Sequence, residues 1–226
     1  MKKILFIVCM FVTVLTSCAP SNEERAKKMA SNYLKGVLCH FDSYEPITTT
    51  VDSLFVSVST DEEAISLTVD LMKLFLSVSE CAEKMREAQQ AMNLWCPMPY
   101  SSSYSKGEYE QAKQEKEHQE HLLEKYRERV KTQFTKIKSR QSYLEAEASS
   151  KNGDFTGWKV YHKFKSLNVL GNLNIFGEYI FLCDKEFQNC KGYEKEEFDA
   201  ISKVLKAISE SNEISELQDN LLDMTY

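Results

Sequence analysis

Residues 157–165 read GWKVYHKFK, and this stretch indicates the fold class more clearly than any other part of the chain. Its alternate side chains form one apolar face, made of Trp158, Val160, His162 and Phe164. Strict alternation of this kind predicts a strand with one buried face. Residues 175–183 predict a second, more apolar strand, and Gly171 and Asn172 between the two predict a hairpin turn.

A third strand and a last helix flank this hairpin in sequence. The segment 47–59 is rich in Thr, Val and Ser, and we expect a strand there that excludes Pro46 from its interior. It must join the other two strands by long-range pairing. After Gly192, apolar residues recur at helical spacing and predict a helix, namely Phe198, Ile201, Val204, Leu205 and Ile208. A short tail helix is expected near 217–222.

Three more helices are predicted, and two of them are long. The first follows a capping box at Ser21 and Glu24 and extends to about residue 40. The second covers about 61–95 behind a capping box that starts at Thr60, and the third covers about 108–149. The proline- and serine-rich loop between the long helices predicts an antiparallel hairpin whose tip is the loop 97–107.

The sum predicts an α+β fold with a small antiparallel three-stranded sheet packed on helices. A long antiparallel helical hairpin, at about 61–149, is inserted between strands 1 and 2. We expect residues 23–226 to form one domain. The first half of the third helix, before Leu122, has almost no apolar stripe, so we expect it to be solvated or to contact something outside the chain.

The N-terminus has the features of a lipoprotein signal. Lys2 and Lys3 precede an apolar run at 4–15, which is too short to span a bilayer comfortably. Leu15-Thr16-Ser17-Cys18 follows and is similar to a bacterial lipobox, which predicts cleavage before Cys18 and lipid attachment to its thiol. Residues 1–17 are then a signal peptide and 18–22 a tether. An ordinary secretory signal that contains a cysteine is the alternative.

The residues after Cys18 bear on the membrane that holds the anchor. In lipoproteins of the enteric type, Asp at the next position retains the protein at the inner membrane, whereas this chain has Ala19. We therefore expect an outer-membrane protein. The polar and acidic run 21–24 resembles a surface-export signal of Bacteroidales lipoproteins, but Glu23 and Glu24 also suit a first helical turn, so the periplasmic side and the cell surface both remain open.

Five cysteines remain after signal cleavage and lipid attachment: Cys39, Cys81, Cys96, Cys183 and Cys190. An odd number leaves at least one thiol free or paired between chains. Cys183 and Cys190 flank a turn-like segment and are the best disulfide candidate in an oxidising compartment, with two unlinked thiols as the alternative. The chain contains no Cys-x-x-Cys, so the sequence indicates neither a zinc nor a thiol-redox site.

Composition excludes several classes of protein. The chain has 226 residues, 42% hydrophobic, and a formal net charge of −6. This is globular composition, and the acidic balance argues against a nucleic-acid partner. Basic residues around Tyr161 are interpreted as a solvated sheet face, and the basic half of the third helix, 125–140, as solvated, with a partner or lipid contact as the alternative.

Two segments carry a family resemblance. Residues 42–46, DSYEP, and the pattern GWKVxHKFK with GEYxF at 177–181 look like small lipoproteins of the Bacteroidales, a group with no assigned activity. The resemblance implies an envelope lipoprotein with the same mixed core. It transfers no functional residue.

No catalytic motif is found, and no cofactor is indicated. Glu115, His118 and His121 share a helix face, but a di-iron bundle needs a second such motif, so they are only weak metal candidates. His162 is interpreted as a hydrogen-bonded core histidine. We expect a non-enzymatic envelope module whose helical hairpin binds a protein partner, and the candidate surface is Pro97, Pro99, Tyr100, Tyr104 and Tyr109. A hydrolase or carbohydrate-active protein and a purely structural spacer are the alternatives.

Overall fold

The computed structural model describes residues 20–150 and 154–217. The predicted signal peptide, Cys18, the turn at 151–153 and most of the predicted tail helix lie outside the described residues. Among the helices that are described, none is long and apolar enough to cross a membrane. The chain divides into two compact units, one made of residues up to Phe55 with Asp154–Phe198, the other of Val56–Gly153 and the residues from Asp199 onward. The prediction of one domain stays a prediction.

The first unit contains an antiparallel sheet in the order β1-β2-β3-β4. The strands are β1 (Glu45–Phe55), β2 (Phe155–Leu167), β3 (Asn174–Asp184) and β4 (Cys190–Glu194). The α+β class and the long-range pairing of β1 with β2 are confirmed, but three strands is the wrong number. The fourth strand has five residues and no apolar alternation, and its pairing with β3 defines it.

Pro46 lies inside β1, contrary to the sequence prediction. It is the second residue of the strand, and the register with β2 shifts between Pro46 and Thr48. Proline is tolerated there because β1 is an edge strand, whose outward N–H groups need no partner in the sheet. The strand ends at Phe55 instead of Ser59, and Val58–Thr60 form a 3-10 turn.

Helix α1 (Asn22–Val37) packs on the sheet in the first unit. The predicted capping box is present, with Ser21 Oγ accepting from the Glu24 backbone N–H. Ala26 and Ala30 are fully buried in a cluster with Phe181 and other sheet residues. Their small side chains let the helix approach the sheet closely.

The second unit is built on helices α2 (Glu62–Leu94) and α3 (Ser103–Ser150), which form the predicted antiparallel hairpin. Three hydrogen bonds between the two arms show that the helices are antiparallel. Arg140 Nη2 donates to Asp61 Oδ2, Gln133 Nε2 donates to Leu67 O, and Lys116 Nζ donates to Gln89 Oε1. Buried positions recur at intervals of seven, as in a coiled coil, at Leu74, Cys81 and Ala88 and at Val130, Ile137 and Leu144. Helix α4 (Lys195–Glu210) follows β4.

Three predictions about the hairpin are wrong in detail. Helix α3 begins at Ser103, not Glu108, because Gly107 continues the helix and the tip is correspondingly shorter. The N-cap of α2 is Asp61 instead of Thr60. The first half of α3 is not left to solvent or an outside partner, since Ala112 and Gln119 are buried against α2. Small and polar side chains fill the interface there.

Candidate functional site

The tip of the helical hairpin exposes large apolar side chains. We call residues 94–105 the hairpin tip. Its exposed members are Leu94 (75%), Met98 (70%), Tyr100 (100%) and Tyr104 (64%). The helices on either side are rich in charge, yet residues 88–105 contain no Asp, Glu, Lys or Arg. Scattered apolar residues are normal on a surface, but a contiguous uncharged group at one end of a charged hairpin is typical of a contact surface.

The hairpin tip is held in a defined conformation by its own hydrogen bonds. Met98 N–H donates to Ser101 Oγ at 2.6 Å, and Ser101 N–H donates to Met98 O at 2.9 Å. Ser105 N–H donates to Ser102 Oγ at 3.1 Å and so caps the start of α3. A surface that is ordered before binding loses less conformational entropy when a partner docks.

Trp95 and Tyr104 link the two sides of the hairpin tip. Their ring centroids are 5.7 Å apart in an edge-to-face arrangement. Trp95 is half-buried and supports Tyr104, which leaves most of its ring in solvent. Tyr, Trp and Met are the residue types enriched at the centre of protein interfaces.

The structure brings together four of the five residues predicted for the partner surface. Pro97, Pro99, Tyr100 and Tyr104 are all exposed in the hairpin tip. Tyr109 is half-buried within α3 and lies outside the tip. The sequence interpretation missed Leu94 and Met98. The uncharged run 88–105 was the available signal, because it includes both residues.

The weak metal candidates do not form a site. His118, His121 and Glu115 are exposed on α3, and Glu115 Oε1 accepts a hydrogen bond from Gln119. Within residues 20–150 and 154–217, no three His, Cys, Asp or Glu residues are arranged to hold a metal ion.

Two grooves run between α2 and α3. One, of about 560 Å³, is lined by Lys73, Arg129 and Lys136 together with hydroxyl side chains. The other, of about 470 Å³, includes Glu87, Glu108 and Glu115. Glu87 and Glu115 are exposed and Glu108 is half-buried. The general acid of a glycosidase typically lies in an apolar environment that raises its pKa, and none of these three carboxylates is buried.

His162 is the buried titratable group of the sheet, and its geometry confirms a hydrogen-bonded core histidine. It is fully buried, with Nε2 2.8 Å from Tyr44 Oη and Nδ1 2.9 Å from Thr49 Oγ1. Burial, assisted by the charge of Lys27, lowers the pKa of His162 to about 4. The imidazole is therefore neutral at physiological pH and links Tyr44, the residue before β1, to Thr49 within β1.

The predicted disulfide is present. Cys183 and Cys190 are bonded across the adjacent strands β3 and β4. Cys39 and Cys96 are free and exposed, and Cys81 is free and buried. The disulfide therefore links β3 covalently to β4.

The sequence matches no protein-family model, no curated protein and no solved structure. Function is therefore inferred from the residues of this chain alone.

Proposed function

We propose that this protein is a lipid-anchored protein of the bacterial outer membrane and a non-enzymatic interaction module. In this proposal, acylated Cys18 holds the chain on the membrane and the hairpin tip binds a partner protein of the envelope. The observation that carries the binding role is the ordered, uncharged tip, with Tyr100 fully exposed, at the end of a charged helical hairpin.

The anchoring role is supported by the sequence. An apolar run of signal-peptide length leads into Leu15-Thr16-Ser17-Cys18, and Ala19 follows. Two or more acyl chains, at about 0.8 kcal/mol per buried methylene, are enough for stable membrane attachment. The resemblance to Bacteroidales lipoproteins through residues 42–46 and 157–165 points to the same compartment.

Removing the thiol of Cys18 is expected to abolish lipid attachment and signal cleavage. A Cys18→Ser chain should take up no labelled palmitate and should accumulate as the uncleaved precursor, because cleavage of lipoproteins follows lipid transfer. The measurement is metabolic labelling with gel analysis, and Cys39→Ser is the matched control that should label like the wild type. Labelling of the Cys18→Ser chain at the wild-type level would contradict the anchor.

Replacing tip side chains is expected to weaken partner capture. Loss of a buried aromatic anchor at an interface costs about 2 kcal/mol, so Tyr100→Ser should lower the affinity for the captured partner by about 30-fold. Tyr143→Ser is the matched control, since Tyr143 is 56% exposed on the same hairpin but far along α3 from the tip. The measurement is a crosslinking pull-down from envelopes, followed by titration of the captured protein. Equal affinities of Tyr100→Ser and wild type would reject the tip as the binding surface.

A further inference from the structure

The turn between β2 and β3 exposes a second apolar surface, in the first unit. We call residues 168–176 the β2–β3 tip. Its exposed large side chains are Val169 (75%), Leu170 (80%), Leu173 (63%), Ile175 (44%) and Phe176 (66%). Residues 166–177 contain no Asp, Glu, Lys, Arg or His. Five exposed apolar side chains within nine residues are a feature of the kind that marks a protein or membrane contact.

Several backbone groups of the β2–β3 tip have hydrogen-bond partners within the chain. Asn168 N–H donates to Leu173 O at 2.8 Å and Gly171 N–H donates to Asn168 O at 2.9 Å. The Asn168 side-chain oxygen accepts from the N–H groups of Asn172 and Leu173 at 3.1 and 3.3 Å. Gly171 has φ +70°, which lets the chain close this turn.

His40 satisfies one more backbone group from outside the tip. Its Nε2 lies 3.1 Å from Val169 O. Backbone N–H and C=O groups without hydrogen-bond partners make it energetically costly to move a loop from water into a bilayer. A tip whose turn is closed by its own hydrogen bonds and braced by His40 therefore enters an apolar medium at reduced cost.

We propose that the β2–β3 tip inserts into the interfacial region of the membrane that carries the protein. A lipid surface fits because residues 166–177 carry no charge and hydrogen bonds within the chain close the turn. A stable protein interface buries about 800 Å² per partner and normally includes a polar rim with charges. Under the proposed function, acylated Cys18 also holds the N-terminal end of the mature chain on a bilayer.

The position of the two membrane contacts sets the orientation of α1. Near its start, Arg25 Nη2 donates to Glu186 O, in the turn that leads to β4. Beyond its end, His40 contacts the β2–β3 tip. A helix of 16 residues is about 24 Å long, and the four residues from Cys18 to Asn22 reach about 14 Å at most. Simultaneous anchoring and insertion therefore exclude an orientation of α1 perpendicular to the bilayer.

This inference takes its compartment from the proposed function but involves a different surface and has its own test. Full-length protein would be reconstituted into vesicles of phosphatidylethanolamine with a minority of phosphatidylglycerol, with or without bromine on the acyl chains. A tryptophan reporter would be placed at the tip by Leu170→Trp. The matched control is Gln188→Trp, an exposed site in the β3–β4 turn at the opposite end of the sheet. Emission of each variant is compared with that of the parent chain.

We expect brominated lipid to quench the emission added by Leu170→Trp by about twofold or more and that added by Gln188→Trp very little, because bromine quenches only at contact with the acyl region. Each variant must melt at the wild-type temperature, and Val169→Trp replaces Leu170→Trp if the latter does not. Equal quenching at residues 170 and 188 would overturn the proposal. So would a blue shift of Leu170→Trp in solution that depends on protein concentration, because a second copy would then cover the tip. Neither result would affect partner capture by the hairpin tip, so the two proposals fail separately.

Discussion

Replacing Asp61 with alanine is expected to lower the free energy of unfolding of the helical hairpin by about 3 kcal/mol. Asp61 has two roles at the start of α2. Its Oδ1 accepts from the Ala64 backbone N–H at 2.8 Å, and its two oxygens accept from Arg140 Nε and Nη2 at 2.9 and 2.7 Å. Burial alone would raise the pKa of Asp61, but the hydrogen bonds from Arg140 and Ala64 outweigh it and lower the pKa. Alanine removes the helix cap and the bidentate ion pair with Arg140, which keeps its contacts with Glu63 and Tyr143.

Two comparisons separate these roles. Asp61→Asn keeps a good N-cap but loses the charge, so it should cost less than Asp61→Ala. Thr60→Ala, at the neighbouring residue, should cost under about 1 kcal/mol, because Thr60 does not cap α2. Urea unfolding followed by circular dichroism measures all three. If Thr60→Ala proved as destabilising as Asp61→Ala, the assignment of the N-cap and of the ion pair with Arg140 to Asp61 would be wrong.

Acid is expected to destabilise the first unit by about 2 to 3 kcal/mol between pH 6.5 and pH 4. Burial lowers the pKa of His162 to about 4, below the value of 6.5 in an unfolded chain. In this window the unfolded chain binds a proton that the folded chain does not, so stability falls as pH falls. Above pH 6.5 the effect is absent because both states are neutral. Thermal melting at several pH values measures it.

A variant without the imidazole provides the control. His162→Gln should be less stable at neutral pH, since it must replace bonds to Tyr44 and Thr49, but its stability should hardly change across this window. A chain with both His118→Gln and His121→Gln should keep the acid response of the first unit, because both residues belong to the second unit. An unchanged acid response in His162→Gln would assign the effect to other groups.

The sequence predicted the elements whose periodicity is strong. Alternation in 157–165 located β2, and heptad-like apolar spacing located the hairpin. It missed β4, because Lys191, Gly192 and Glu194 show no apolar alternation and the strand is defined by pairing with β3. It also placed the start of α3 too late, since Gly107 was interpreted as a loop residue. The structure places Gly107 on an open helix surface, where a Cβ atom added to it would have no neighbour within 4 Å.

The candidate site was predicted in part, for a similar reason. Proline and tyrosine marked the hairpin tip, but Leu94 was assigned to the end of a helix, and Met98 lay in the predicted loop without being named as part of the surface. The first half of α3 was expected to lack intrachain contacts because it has almost no apolar stripe. Ala112 and the buried Gln119 instead allow α2 to approach closely, with Lys116 bonded to Gln89. Of the apolar residues of the β2–β3 tip, Ile175 and Phe176 were assigned to the more apolar strand 175–183.

Site-specific photocrosslinking in living cells tests the central claim most directly, namely that the hairpin tip binds an envelope partner. A photoreactive amino acid would replace Tyr100 in the lipid-anchored chain, and Gln114 in a parallel chain. Gln114 is exposed on α3 outside the tip. The account predicts one defined adduct from position 100 and none from position 114, with the adduct lost when Met98→Ser and Tyr104→Ser are added. Adducts of equal yield and identity from both positions, or none from position 100 with the protein at its normal level, would contradict it.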